Sequence, residues 1–162
     1  MRLRIFRLLA VCLVVSAGLS AGLSAGLSTA AQAQQQAAGI VKIATGVVEV
    51  VRGKTRTLLT VGAAIRVGDQ LETGADGTVG VTLKDGTLLS LGTRSIFVIE
   101  EFLFAPERES LSFVGSARAG SVVYTSGTIG RLAPEKVRVT TPFGTIGTRG
   151  TRFAVRMSDA AR

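Results

Sequence analysis

Few side chains in this 162-residue sequence could do chemistry, and their types narrow what that chemistry is. There is no His, and the one Cys, Cys12, lies in an apolar N-terminal stretch. Imidazole is therefore missing from any proton relay, and Cys–His zinc sites, Cys–His nucleophiles and Ser-His-Asp relays are excluded. No metal or cofactor site is expected. The close acids Glu100-Glu101 and Glu107/Glu109 would have to face each other across a sugar cleft to act as a glycosidase pair. Neighbouring residues of a strand point to opposite faces, and Glu107 and Glu109 sit in an expected loop, so both groups are expected as exposed acids. Gly144, Gly147 and Gly150 recur every three residues in G-T-I-G-T-R-G. A phosphate loop would continue into Gly-Lys-Ser/Thr and a helix, and neither follows, so these glycines are expected at tight turns.

Charge is the remaining chemical resource. Residues 118–162 hold Arg118, Arg131, Lys136, Arg138, Arg149, Arg152, Arg156 and Arg162 against Glu135 and Asp159, while residues 34–117 are nearly neutral. Lys136, Arg138, Arg149, Arg152 and Arg156 are the candidate partner-binding face, suited to an acidic protein, lipid headgroups or an anionic polymer. The competing expectation is a solvated strand face whose charges discourage edge-to-edge pairing. Nucleic acid is not expected, because one Tyr and no Trp leave no aromatic platform for bases.

The elements that must position these residues follow a leader. Arg2, Arg4 and Arg7 precede the apolar run Leu8 to Val15, and small residues lead to Ala31-Gln32-Ala33. That order is a secretory signal peptide over residues 1–33, with export to the periplasm as the expectation. Within it Ala-Gly-Leu-Ser occurs three times and spaces Gly18, Gly22 and Gly26 four apart. An uncleaved leader would instead make a membrane anchor whose glycine stripe could pair two copies.

Residues 34–162 read as all-β. Val, Ile and Thr make up about 30% of them, a composition that suits a pleated, half-buried surface. Short apolar runs divided by Gly and Asp turns predict a single domain, a twisted β-sandwich or short β-solenoid of about ten short strands. Expected strands are 40–43, 47–52, 57–61, 63–67, 70–73, 78–83, 87–91, 95–99, 110–114, 121–125, 137–141 and 151–157, with Glu101 to Glu109 as an exposed loop. One hairpin is specified in register. A three-residue loop Lys84-Asp85-Gly86, with Gly86 left-handed, sets Val81 opposite Leu89 and Val79 opposite Leu91. Late strands alternate, Phe153, Val155 and Met157 against Arg152, Ala154 and Arg156, so the basic side chains are expected outside.

Two segments carry a resemblance. Residues 62–99, GAAIRVGDQLETGADGTVGVTLKDGTLLSLGTRSIFVI, and residues 141–155, TPFGTIGTRGTRFAV, are similar to the FecR-type periplasmic domain. The shared pattern is a Gly-Asp turn, the hairpin at Asp85-Gly86, and a closing stretch here made of Thr141, Pro142, Gly144, Gly150, Thr151 and Phe153. The likeness covers about residues 46–157, after a lead-in at 34–45 and before a tail at 158–162.

The resemblance implies an envelope module. Fuller members are single-span regulators that handle a sigma factor inside the cell and sense a transporter outside it. Only seven residues precede the apolar run here, so the sigma-factor role is not carried over. The expectation is an exported, non-catalytic recognition module tied to trans-envelope or transport-linked signalling. Its expected partner is an envelope protein or an anionic envelope polymer. One alternative is a structural protein that holds peptidoglycan or an outer-membrane assembly through the basic face; another is the membrane-anchored dimer. Several members also resemble proteins that cleave themselves at a Gly-Thr bond, which would fall at Gly150-Thr151. Attack of the Thr151 hydroxyl on the Gly150 carbonyl would shift the acyl group from nitrogen to oxygen before hydrolysis. With no His to activate that hydroxyl, the expectation remains a non-enzyme.

Overall fold

The computed structural model describes residues 37–147 and 152–157. The chain divides at Ala33/Gln34 into two units, and the first lies outside the described residues, as do the expected leader and anchor. Among the described residues no helix is long and apolar enough to cross a membrane.

Twelve strands form one all-β domain: β1 (Ala37–Thr45), β2 (Val48–Arg52), β3 (Thr55–Leu58), β4 (Ala64–Arg66), β5 (Gln70–Thr73), β6 (Thr78–Leu83), β7 (Leu88–Leu91), β8 (Ile96–Ala105), β9 (Ser110–Thr125), β10 (Val137–Thr141), β11 (Gly144–Gly147) and β12 (Arg152–Met157). A five-residue helix, α1 (Thr128–Leu132), bridges β9 to β10 with a single 3-10 turn after it. Among the described residues all pairings are antiparallel except β9 with β10.

β9 is the spine. Its N-terminal half pairs with β8 on one edge and β10 on the other; its C-terminal half pairs with β7 and β12. Two limbs result. The back limb runs β3-β2-β5-β8-β9-β10-β11 and the front limb runs β12-β9-β7-β6-β1-β4. Extended strand would separate Phe113 from Tyr124 by about 36 Å. Yet their rings stack with centroids 5.5 Å apart, and Tyr124 stacks in turn on Phe153 at 5.0 Å. β9 must therefore fold back on itself. Gly120 supplies a left-handed residue (φ +77°) between the halves, a conformation that costs a glycine little. The sheet curls over a single core in which Val41, Val48, Leu71, Val81, Leu89, Phe97, Phe113 and Val139 meet. The expected all-β single domain is thus built as one curled, largely antiparallel sheet, a half-barrel, with twelve strands where about ten were expected.

The period-2 pattern placed most strands to within one to three residues, and the Gly86 hairpin has the expected register with Gly86 at φ +83°. Two expectations are corrected. Residues 101–105 continue β8, and only Pro106 to Glu109 turn, because Phe102 and Phe104 pack on the core while Glu101 and Leu103 take the outer positions. Residues 110–125 are one strand, since Gly115 is seated under the Phe97 ring rather than at a break. As expected, Glu100 and Glu101 are both exposed, and a bulge between Ile99 and Glu101 interrupts the alternation there.

Candidate functional site

The Gly-Asp and Asp-Gly turns prove to be internal fasteners. Gly68 takes φ +86° and delivers Asp69 into the core, fully buried. Its carboxylate accepts both arms of Arg52, from Nε at 2.7 Å and from the terminal nitrogen at 2.6 Å, and the backbone N–H of Arg66 at 2.8 Å. Its carbonyl accepts the Ile99 N–H. One residue thus ties β2, β4 and β8. Asp85 does the same on the other limb. Its carboxylate accepts the Thr87 N–H at 3.0 Å, the Thr87 hydroxyl at 2.8 Å and the Ile129 N–H at 3.3 Å. The Asp85 carbonyl accepts the Thr128 N–H, and the Thr87 hydroxyl accepts the Gly127 N–H. A hairpin acid thereby caps the start of α1 from 44 residues away, which α1's own cap residue, Gly127, cannot do. Asp69 and Asp85 are occupied by structure and present no carboxylate to a substrate.

The closing motif divides. Thr141 turns the β10–β11 hairpin: its hydroxyl donates to the Gly144 carbonyl at 2.9 Å and accepts the Phe143 N–H at 3.3 Å across Pro142. Gly144 to Gly147 is strand β11, so Gly147 lies in an element rather than at a turn. Phe153 packs on the core beside Tyr124. Gly150 and Thr151, the self-cleavage bond, and Arg149 lie outside the described residues.

The structure does not gather the candidate basic residues on one surface. Arg138 stands on β10 opposite Val114, outside the back limb, with Lys136 just before the strand. Arg152 and Arg156 stand on β12 opposite Thr125 and Ser121, outside the front limb. The fold of β9 turns these two faces away from each other. All four side chains are exposed, and among the described residues none is in an ion pair. Earlier arginines differ. Arg52 is held by Asp69, and Arg56 bridges Glu49 at 2.6 Å and Glu72 at 2.5 Å. Burial alone would push the Glu72 carboxyl up, but hydrogen bonds from Arg56 and Gln70, with the Arg56 charge, hold it below its ordinary range.

Sequence reasoning missed a cleft. An open depression of about 1000 Å³ lies between the α1 segment and the β10–β11 hairpin, lined by Arg131, Glu135, Arg138, Thr145 and Gly147 among others. Its cations are in the basic block, but its wall depends on a helix too short for periodicity to reveal.

With this geometry in place, comparison with known proteins assigns the class. The FecR protein family model matches residues 69–162, more than half the chain, and the protein belongs to that family. The family is associated with signalling at the cell envelope. No curated protein and no solved structure matches. The match begins at Asp69, the buried fastener, and spans Asp85-Gly86 and the Thr141-Pro142 turn.

Proposed function

We propose that the chain is an exported, non-catalytic recognition module of the bacterial envelope, taking part in trans-envelope signalling by holding an anionic partner. One observation carries this: the late cations Lys136, Arg138, Arg152 and Arg156 are exposed and, among the described residues, uncommitted, while Arg52 and Arg56 are consumed by ion pairs. Exposed positive charge without local partners raises the association rate with acidic surfaces and makes it salt-dependent. A binding rather than catalytic role is supported by the use of Asp69 and Asp85 as fasteners and by the lack of His.

Fractionation of an expressing Gram-negative cell, followed by intact mass, tests the reading. The expected result is one species in the periplasmic fraction that stays with envelope material at low salt and leaves it at high salt. Changing Lys136, Arg138, Arg152 and Arg156 to Glu abolishes that retention. Protein confined to the cytosol, or retention indifferent to both salt and the four changes, overturns it.

A further inference from the structure

The two limbs differ in charge in a way that residue order hides. Strands of the back limb carry Arg52, Arg56, Arg118 and Arg138 against Glu49, Glu72, Glu100 and Glu101, which is neutral. Strands of the front limb carry Lys42, Arg66, Arg152 and Arg156 and no acid at all. All four are exposed, and among the described residues none is in an ion pair. They stand only at the two rims, Arg152 and Arg156 on β12, Lys42 and Arg66 on β1 and β4.

Between the rims, β6, β7 and the C-terminal half of β9 have no charged residue. The register lays one outward row as Ile40, Thr82, Leu88, Thr125 and Arg152, and the next as Ile43, Gly80, Ser90, Val123 and Ala154. Ile40, Ile43 and Leu88 are 43%, 61% and 46% exposed. Solvated sheet faces ordinarily alternate charged residues with the buried set, as the back limb does. The front limb instead offers a patch with an aliphatic and hydroxyl centre, about 24 Å wide at ordinary strand spacing, between two basic margins.

We propose that this face docks on the anionic surface of a lipid bilayer. A second copy of the chain is disfavoured, because stacking front limb on front limb sets basic rim against basic rim in either orientation. A specific protein partner fixes its register by interleaving charges of both signs. A face with one sign at both rims and none in the middle specifies no register, and suits a surface that is uniformly negative. Aliphatic side chains at the convex centre reach the headgroup boundary first. Lys and Arg at the rims extend their stems to the phosphates, as amphipathic side chains do at such interfaces. The inference rests on the folded domain and does not require the export reading.

Purified full-length protein and vesicles test it. In a Cys12→Ala background, a polarity-sensitive fluorophore is placed at Ser90→Cys, in the front centre, or at Leu103→Cys, exposed on the back limb. Phosphatidylglycerol–phosphatidylethanolamine vesicles should brighten and blue-shift the Ser90 label and leave the Leu103 label unchanged, while phosphatidylcholine vesicles move neither. Arg152→Gln with Arg156→Gln should lower partitioning on the order of 20-fold, at about fivefold per cation near an anionic surface. An equal response from both labels would mean tethering by other parts of the chain and overturns the proposal, as does silence at Ser90. A Ser90 response to soluble polyglutamate but not to anionic vesicles assigns the face to an acidic polypeptide and also overturns it.

Discussion

Asp85 is the residue whose role is least like its appearance. In sequence it reads as a turn-former before Gly86, and that much is correct: Gly86 is left-handed and the hairpin register follows. What local pattern could not show is that its carboxylate reaches Ile129, because the partner arrives only after β7 and β9 are laid beside each other. Asp85→Asn replaces an acceptor surrounded by donors with an amide whose N–H₂ meets them head-on. The expected loss is about 2–3 kcal/mol, read as a lower denaturation midpoint at unchanged slope. Tyr124 behaves in the opposite sense. Its hydroxyl is buried and among the described residues completes no hydrogen bond, although Thr87 and Ser126 lie near. Tyr124→Phe should therefore cost nothing at neutral pH and gain up to about 1 kcal/mol, since no partner is left behind. Burial first, and the Asp85 charge after it, push the phenol above its ordinary 10.0. Above that value an unfolded chain releases the proton and the folded one keeps it, so stability falls as pH rises from there through the raised pKa. This is the only Tyr and there is no Trp. Phenolate absorbance should accordingly appear together with loss of the strand signal; ionisation at the ordinary value in folded protein would refute this.

Among the elements, β9 is where sequence and structure part most. The G-S-A-R-A-G stretch at 115–120 reads as a linker because glycines usually interrupt strands. Here the two glycines have separate jobs: Gly115 yields space to Phe97, and Gly120 turns the strand from one limb to the other. β11 escaped detection because two of its four residues are glycine, and its pairing with β10 is set by the Thr141 turn rather than by propensity. Period-2 alternation, by contrast, was enough for β5, β6 and β10, where one face is buried throughout. The glycine roles separate by substitution. Gly86 is left-handed with nothing near an added Cβ, so Gly86→Ala should cost only the backbone term, about 1–2 kcal/mol. At Gly120 the same backbone term is joined by contacts at 2.5 Å to the Ser95 Cα and 2.6 Å to the Arg94 carbonyl. Gly120→Ala should cost at least about 3 kcal/mol and spread the two limbs. Thermal melts of both variants decide it; equal shifts would mean that the bend does not depend on Gly120.

On the scale of the whole molecule, which limb a strand joins matters more than where it lies in the sequence. The basic block of residues 118–162 is contiguous in the chain, yet β9 sends Arg138 to one face and Arg152 and Arg156 to the other. Lys42 and Arg66, far upstream, join the latter pair on the same limb at its opposite rim, which no reading of linear charge could assign. The same logic bears on residues 37–68, which precede the family match. They supply β1 and β4 to the front limb and β2 and β3 to the back limb, and they bury Val41, Val48, Val50, Leu59 and Ile65. At about 1.5–3 kcal/mol for each buried aliphatic, these five contribute as much as the entire net stability of an ordinary domain. Removing them also takes Arg52 from the buried Asp69 and opens the β5 and β6 edges to intermolecular pairing. A chain that starts at Asp69 should therefore be insoluble or lack a cooperative melt by far-ultraviolet circular dichroism. A soluble 69–162 fragment with one sharp transition would show instead that the matched region is the folding unit and that β1 to β4 are an accessory layer.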